Sequence, residues 1–565
     1  MNFNDFCALC DDLEKTSSSL EKIEKLSLYL SQTPLEQISP TIRLLSGKPV
    51  YPPELKSGIG NTTIRQALAS TLSIPLDDIN SSLKETGDLG ISAMTLVKKN
   101  TQKQVSLMAF TDDSTSNSVI DIHDKFNEIA SLTGSLSSTK KSSMLSSLFS
   151  SLSPIESKYL CRLALEDLRI GVAEGILINA IAKTADIKSS IIERAFNLTN
   201  DLGNIAFIAL SENKEKLNNL DPQINRYVRV MLGQISKDSI EDIIEPMDSL
   251  ACEWKYDGAR LQIHKDGDKV TLYSKKPENV TNSFPDVVEN VLKYIKAEQA
   301  IVEGEVVAID TDGSPLPFSM LLQRIRRKNN IESYIDKIPV CVYLFDVLKS
   351  NDASTIDLPL NVRRQQLESI VSQSDYIALS SQLITHDPNE IDSMYNDALR
   401  AGHEGIMIKK LSSPYVPGKR GKDWIKKKPL MENMDLVVTG GEWGQGRRTK
   451  FFGSYTLSCR NPETNEYLEV GKIGTGINDT LLSTLTEQLT DCIESENGTN
   501  LSFSPKVVLE VSYEEIQGSP TYNSGYSLRF PRLVRIRSEK GPKDIATISQ
   551  VEALFKSQKL PTQNN

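Results

Sequence analysis

Residues 253–260 read Glu-Trp-Lys-Tyr-Asp-Gly-Ala-Arg. The octet sets Lys255 between an acidic residue and an arginine, beside two aromatic rings and three residues before a glycine. A lysine amine attacks an electrophile only when neutral, and charged or desolvating neighbours move it toward that state. Lys255 is therefore the candidate nucleophile. The β-prone run Leu261, Gln262, Ile263 follows, then Asp266-Gly267-Asp268 and a second extended run, Lys269–Ser274. That pattern predicts a lysine at a sheet edge, entering a β-hairpin. Alone, Lys-x-Asp-Gly is short enough to arise by chance, so its weight rests on what accompanies it.

The elements that must position this lysine divide the chain into three expected domains, 1–215, 216–430 and 431–565. The first is helical: apolar residues recur at three- and four-residue steps in Leu20–Leu30, Thr63–Leu72, Ser142–Leu152, Glu156–Leu168 and Gly175–Ala182. Cys7 and Cys10 have metal spacing, but without a second pair they read as one face of a helix. In the serine-rich stretch 131–154, Leu145, Leu148, Phe149 and Leu152 keep a helical stripe. Gly134–Lys141 reads instead as a loop with small donors and two lysines, suited to a phosphate backbone. From Ala251 to Pro429, strands (250–254, 261–264, 270–274, 300–310, 340–346, 405–410) alternate with helices and turns. From Asp435 onward, short strands with glycine-rich turns predict a small β-barrel. No Gly-x-x-x-x-Gly-Lys-Ser/Thr loop occurs, so a P-loop does not hold a nucleotide here.

Composition narrows the class. A length of 565 residues suggests three or four domains, and 39% hydrophobic with 24% charged residues fits a soluble globular protein. Seven scattered cysteines point to a reducing, intracellular (cytoplasmic) setting. No apolar run approaches the ~20 residues of a membrane span. The net charge of −10 argues mildly against nucleic acid, but the distribution argues for it. Residues 419–428 and 529–543 are strongly basic, and further clusters lie at Arg324, Arg326, Arg327, Lys328 and at Arg447, Arg448, Lys450. Phosphate-rich ligands are expected.

Over almost its whole length the chain resembles the ATP-dependent DNA ligases in their archaeal and eukaryotic replicative form. The resemblance rests on ordered motifs: Lys255-Tyr256-Asp257-Gly258 with Arg260; Tyr273 to Thr281; Glu303-Gly304-Glu305-Val306-Val307-Ala308; Tyr343-Leu344-Phe345-Asp346; Glu404 to Lys409, followed by Ser413-Pro414-Tyr415 and Lys419-Arg420; Trp424-Ile425-Lys426-Lys427-Lys428; and Arg529-Phe530-Pro531-Arg532 running to Arg537-Ser538-Glu539-Lys540. Glu442-Trp443-Gly444 with Gly446-Arg447-Arg448 resembles the start of the family's barrel, and Asp167-Leu168-Arg169-Ile170-Gly171 its helical domain.

The resemblance implies an all-α DNA-binding domain, an α+β nucleotidyltransferase domain of ATP-grasp-like ligase type, and an all-β OB-fold domain. It implies nick sealing through a lysyl-AMP intermediate in DNA replication, repair and recombination. Lys255 would be the nucleophile. Glu253 would meet the adenine amino group, and Phe345 would supply a flat face for the base. Arg260, Lys275 and Arg420 would hold ribose or phosphate oxygens. Lys426 and Lys428 would disfavour a charged Lys255 and stabilise the α-phosphate. Glu305 and Glu404 would ligate Mg²⁺, or Mn²⁺ in its place, with Glu305 alternatively on the ribose. Arg537 and Lys540 would orient the pyrophosphate. The implied partners are nicked duplex DNA and a sliding clamp, although no docking peptide stands out; the expected state is a monomer.

Two residues depart from the family pattern. Lys275 stands where arginine is usual and lacks its planar fork. Glu539 replaces an aspartate. RNA ligases and capping enzymes are disfavoured by the long helical segment before Lys255, and NAD-using ligases by the missing cysteine-rich element. A non-catalytic DNA clamp is disfavoured by the intact set Lys255, Glu305, Glu404, Lys426 and Lys428.

Overall fold

A computed structural model describes the protein except residues 53–54, 105–116, 135, 326, 328–330, 430–432, 445–449, 475–476, 558–565 and the side chains of 101–104 and 319. The expected features at Arg326, Lys328, Leu430, Gly446-Arg447-Arg448 and the last residues therefore lie outside the described residues. The chain forms two compact units, 1–395 with 406–427, and 396–405 with 428–565.

The first unit opens with α-helices running from Phe3–Lys15 to Leu202–Leu210. The first helix shows how local sequence sets its start. Asn2 accepts the Asp5 N–H while the Asp5 carboxylate accepts the Asn2 N–H, a reciprocal cap. The same helix buries Phe3, Phe6, Cys7, Cys10 and Leu13 along one face, so both cysteines are core residues, as their spacing predicts. All seven thiols are free and buried.

The loop expected at Gly134–Lys141 is corrected. A helix spans Ser137–Ser150, and Lys141 is buried on it, donating to the Ser57 carbonyl at 2.6 Å. Lys141, Leu145 and Leu148 fall at i, i+4 and i+7, so the lysine occupies the core-facing stripe and satisfies a buried carbonyl. It is unavailable to a phosphate.

Two sheets follow in the same unit. The first is ordered β1–β11–β10–β2–β9, with β1 (Leu232–Ile235), β2 (Leu250–Trp254), β9 (Gln382–Ile384), β10 (Ile406–Lys410) and β11 (Arg420–Lys427). The second is ordered β4–β3–β5–β6–β7, with β8 on β6. Its strands are β3 (Ala259–Asp266), β4 (Lys269–Ser274), β5 (Gln299–Ala308), β6 (Val340–Ser350), β7 (Ala353–Ser354) and β8 (Ile377–Leu379). Its apolar face packs with the helix Pro285–Tyr294 in one core that includes Leu261, Ile263, Val302, Val306 and Val287.

The second unit is β-rich. Strands β12 (Met434–Trp443), β13 (Phe452–Arg460), β14 (Tyr467–Ile473), β15 (Ile493–Asn497), β16 (Asn500–Phe503), β17 (Val508–Ser512) and β20 (Arg532–Ile536) form one antiparallel sheet. The pair β18 (Glu515–Gly518) and β19 (Tyr526–Arg529) stands beside it as a hairpin. The helix Asp479–Thr490 contributes Leu482, Leu485 and Leu489 to the core of this unit. The helical, mixed α/β and β-rich, OB-like parts are those the motifs led one to expect.

Gly258, between β2 and β3, carries a close-approach constraint. A Cβ there would sit 2.3 Å from the Val306 carbonyl oxygen and 3.0 Å from Glu305 Cγ. Backbone cannot yield as a side chain end can. Gly258→Ala should destabilise the first unit by about 1–3 kcal/mol, measured as a lower denaturation midpoint by the fluorescence of Trp254 and Trp424. An unchanged midpoint would refute the constraint.

Candidate functional site

Lys255 does not enter a hairpin. The hairpin is β3–β4, turning at Asp266-Gly267-Asp268, with Gly267 at φ +59°. Lys255–Gly258 is the link from β2 in one sheet to β3 in the other, and β2 lies between β10 and β9 rather than at an edge. Strand–turn–strand is locally the same pattern whether the second strand pairs with the first or leaves for another sheet. The link is tied down next to Lys255. Tyr256 stacks on Tyr343 with centroids 4.0 Å apart and planes 10° apart, and its hydroxyl accepts the Ser381 N–H at 3.0 Å.

Strand register explains which side chains share the face around the link. Across three neighbouring strands Lys426 opposes Met407, which opposes Glu253, while Trp424 opposes Lys409. In the second sheet Arg260 opposes Glu305, and Gln262 opposes Glu303. Because side chains alternate, these form one face of each sheet.

Two buried carboxylates organise the charges there. Glu253 bonds Lys409 at 2.6 Å and Ser380 Oγ at 3.1 Å through Oε2, and Gln382 Nε2 at 3.0 Å through Oε1. Glu303, fully buried, accepts Arg260 at 2.5 Å and the Tyr415 hydroxyl at 2.8 Å. Arg260 also donates to the Met231 carbonyl at 2.7 Å, and it lies over the Phe345 and Trp424 rings at 5.1 and 5.9 Å. Its Nε is buried without a partner among the described residues, as is Trp424 Nε1. Lys409 lies 4.8 Å from the Phe345 centroid. Trp424 is 2% exposed and meets both Phe345 and Tyr415 edge-on.

The cations crowd one another. Lys426 is pushed down to about 8, first by burial and then by Lys255, Lys275, Arg260 and Arg420. Lys275 is also lowered, by desolvation and then by Arg260, with Glu305 opposing and Arg420 and Lys255 adding. Lys255, Arg260, Lys275, Arg420 and Lys426 thus lie near enough to act on one another, and Glu305 acts on Lys275 and Arg260. A cluster of this kind, held in place before any ligand arrives, suits a polyphosphate.

The other four expected residues fall in the second unit. Lys428 pairs with Glu514 at 2.8 Å. Glu404 lies in the 396–405 segment. Arg537 donates to Asp435 at 3.1 Å, to Glu510 at 3.2 Å and to Glu539 at 2.7 Å, and Lys540 donates to Asp435 at 2.6 Å. Four residues of the site went unassigned in the sequence: Glu303, Lys409, Tyr415 and Met231. Lys409 had a usable signal, since it shares strand parity with Met407; the others meet their partners only through long-range folding.

Comparison with known proteins points one way. Residues 2–182 match the family model described as DNA ligase N terminus, 230–428 the ATP dependent DNA ligase domain, and 448–540 the ATP dependent DNA ligase C terminal region. The chain is 43% identical over 564 residues to DNA ligase 2 of Methanosarcina acetivorans, covering 99% of each. It is 43% identical over 561 residues to the DNA ligase of Archaeoglobus fulgidus, again covering 99% of each. A solved structure described as Pmar-Lig_Pre is similar in fold, with a TM-score of 0.55 at 17% identity, covering 94% of this chain and 99% of that one.

The Lys426 position has a pH consequence. In the free protein Lys426 loses its proton as pH rises through about 8, and a neutral amine holds phosphate weakly. If ATP donates AMP to the protein, kcat/KM for that transfer, which reports the free protein, should acquire a falling limb above about pH 8. Lys426→Arg, charged throughout, should lack it. A limb that persists in Lys426→Arg belongs to another group.

Proposed function

Because this chain belongs to the ATP-dependent DNA ligase family, we propose that the site around Lys255 is where it takes AMP from ATP on the way to sealing nicks in duplex DNA. The observation that carries this reading is the proximity of Lys255, Arg260, Lys275, Arg420 and Lys426 to one another, within residues 230–428 that match the ATP dependent DNA ligase domain. We take the working divisions as 1–215 for DNA grip, 216–430 for nucleotide transfer and 431–565 for the OB barrel.

The chemistry balances in three transfers. Neutral Lys255 Nζ attacks the α-phosphorus of ATP; the bond to pyrophosphate breaks, and the amine proton goes to solvent. The product is a lysyl phosphoramidate. The 5′-phosphate at a nick then attacks the same phosphorus, the P–N bond breaks and Lys255 recovers its proton. The adjacent 3′-hydroxyl attacks the activated 5′-phosphate and gives its proton to solvent, and the bond to AMP breaks so that AMP leaves. Covalent catalysis divides one difficult condensation into easier exchanges. Charge that grows on phosphoryl oxygens and on the leaving group is met by cations already in place.

The remaining roles follow from chemistry. Glu253, already bonded to Lys409, Ser380 and Gln382, offers further acceptor capacity to the adenine amino group. Phe345 faces the base. Arg260, Lys275 and Arg420 take ribose and phosphate oxygens, with Lys275 acting as a point charge. Among the described residues no three Asp, Glu, His or Cys side chains converge on a metal site. Glu305, a hard oxygen donor, would hold Mg²⁺ with substrate oxygens completing its shell; Mn²⁺ fits the same donor. The ion supplies Lewis-acid stabilisation of the phosphate. No helix among the described residues is long and apolar enough to cross a membrane. The protein acts as a monomer on nicked duplex DNA.

Arg537 and Lys540 serve the first transfer only. Within their own unit they are held by Asp435, Glu510 and Glu539, and a pyrophosphate group competes for the same cations. Once AMP sits on Lys255 that group is gone and the role ends.

Two experiments follow. Lys255→Ala should form no labelled protein from ATP, yet slowly seal a nick whose 5′ end already carries AMP; label on the variant would assign the nucleophile elsewhere. Arg537→Ala and Lys540→Ala should lower formation of the AMP-bound protein at least ~10²-fold, while sealing of the pre-adenylylated nick changes far less. Equal losses in both steps would make the barrel a fixed DNA contact or a folding requirement instead.

A further inference from the structure

The helical part reaches the nucleotide pocket through a residue that none of the pocket motifs contains. Arg229 lies between the helices and β1. Its guanidinium makes a two-pronged bond to Glu174, at 2.8 and 2.7 Å. Its Nε donates to Asn200 Oδ1 at 3.1 Å, and its plane lies 4.0 Å over the Phe196 ring. Its backbone N–H donates to the Asn197 carbonyl at 2.8 Å. Every one of these partners belongs to the helices: Glu174 begins Glu174–Ala185, while Phe196, Asn197 and Asn200 lie at or just past the end of Ser189–Thr199. A bidentate arginine bond fixes orientation as well as distance.

From Arg229 two short routes lead to the pocket. Along the chain, Met231 uses both of its backbone groups there. Its carbonyl accepts Arg260 at 2.7 Å, and its N–H donates to the Tyr415 hydroxyl at 2.9 Å. Across the chain, the Arg229 carbonyl accepts the Gly418 N–H at 3.0 Å, two residues before Arg420. Gly418, at φ +74°, lies so close to the Asn197 amide that a Cβ would come within 2.6 Å of its oxygen. Leu198, next in the same helix, is fully buried in the cluster that holds Tyr415 and Trp424.

We propose that Arg229, clamped by the helical part, positions Arg260 and Arg420, so that the domain that grips DNA also sets the affinity of the pocket for ATP. This rests on the reading that the pocket takes ATP and that Lys255 receives AMP. Arg229 is a positioning residue, since it acts through Met231 and Gly418. Coupling of this sort is reciprocal: by whatever factor DNA bound on the helices changes the affinity for ATP, bound ATP changes the affinity for DNA.

The test uses full-length Arg229→Ala, Arg229→Lys and Glu174→Gln, with the rate of AMP-labelled protein formation followed against ATP concentration. Arg229→Ala should raise KM for ATP about tenfold with the saturating rate changed less than about twofold. Arg229→Lys, which keeps charge but loses the fork, should fall between. Glu174→Gln is nearly isosteric and half exposed at a helix start, so it stays folded, and it too should raise KM. A wild-type KM in Glu174→Gln would overturn the proposal. So would KM and saturating rate deteriorating together with a lowered thermal midpoint, the signature of a contact that only holds the domains. Failure of the wild-type protein itself to take label would instead overturn the reading of the pocket.

Discussion

Like charges repel, and a pocket built for a polyphosphate must hold several of them together before the ligand comes. The buried carboxylates Glu253, Glu303 and Asp346 fix the frame that carries them. Glu303 holds Arg260, Tyr415 and Gln262 at once. Glu253 holds Lys409. Asp346 takes a two-pronged bond from the fully buried Arg363, which also donates to the Ser413 carbonyl and so ties the strand bearing Phe345 to the loop bearing Tyr415. Leaving one member of such a pair uncompensated in the interior costs about 3–5 kcal/mol, so these positions constrain both sheets. Lys426, buried among Lys255, Lys275, Arg260 and Arg420, is lowered first by that burial and then by those charges.

The two sheets divide the labour. One carries Glu253, Lys409, Trp424 and Lys426 on alternating positions of adjacent strands; the other carries Arg260, Glu303 and Glu305. The four-residue link bearing Lys255 is where the chain passes from one to the other. A lysine on a crossing between two rigid sheets is positioned by both, and the Tyr256–Tyr343 stack removes the freedom that a loop would otherwise keep.

Much of this was legible in the sequence, and the rest was not for identifiable reasons. The strand runs and the amphipathic helices follow from periodicity, and the Cys7–Cys10 pair from its spacing on a helix. The link at Lys255 read as a hairpin because local pattern does not say which strand a strand will pair with. Lys141 read as exposed because lysine in a serine-rich run usually is; only the Ser57 carbonyl, 84 residues away, gives it a buried place. The Glu253–Lys409 pair spans 156 residues, and Arg229 meets Glu174 across 55. Contacts of that range leave no mark in either local segment.

The shielding of every thiol has a practical side. Burial pushes Cys252, beside Glu253, and Cys459 up to about 12, so neither forms thiolate near neutral pH, and the other five are equally enclosed. Toward maleimides and similar reagents the folded chain should react slowly, because all seven thiols are buried. A single cysteine placed on an exposed position of each unit would therefore accept a dye or spin label cleanly, without first stripping the native seven. The protein comes ready for distance measurements between its two units during turnover.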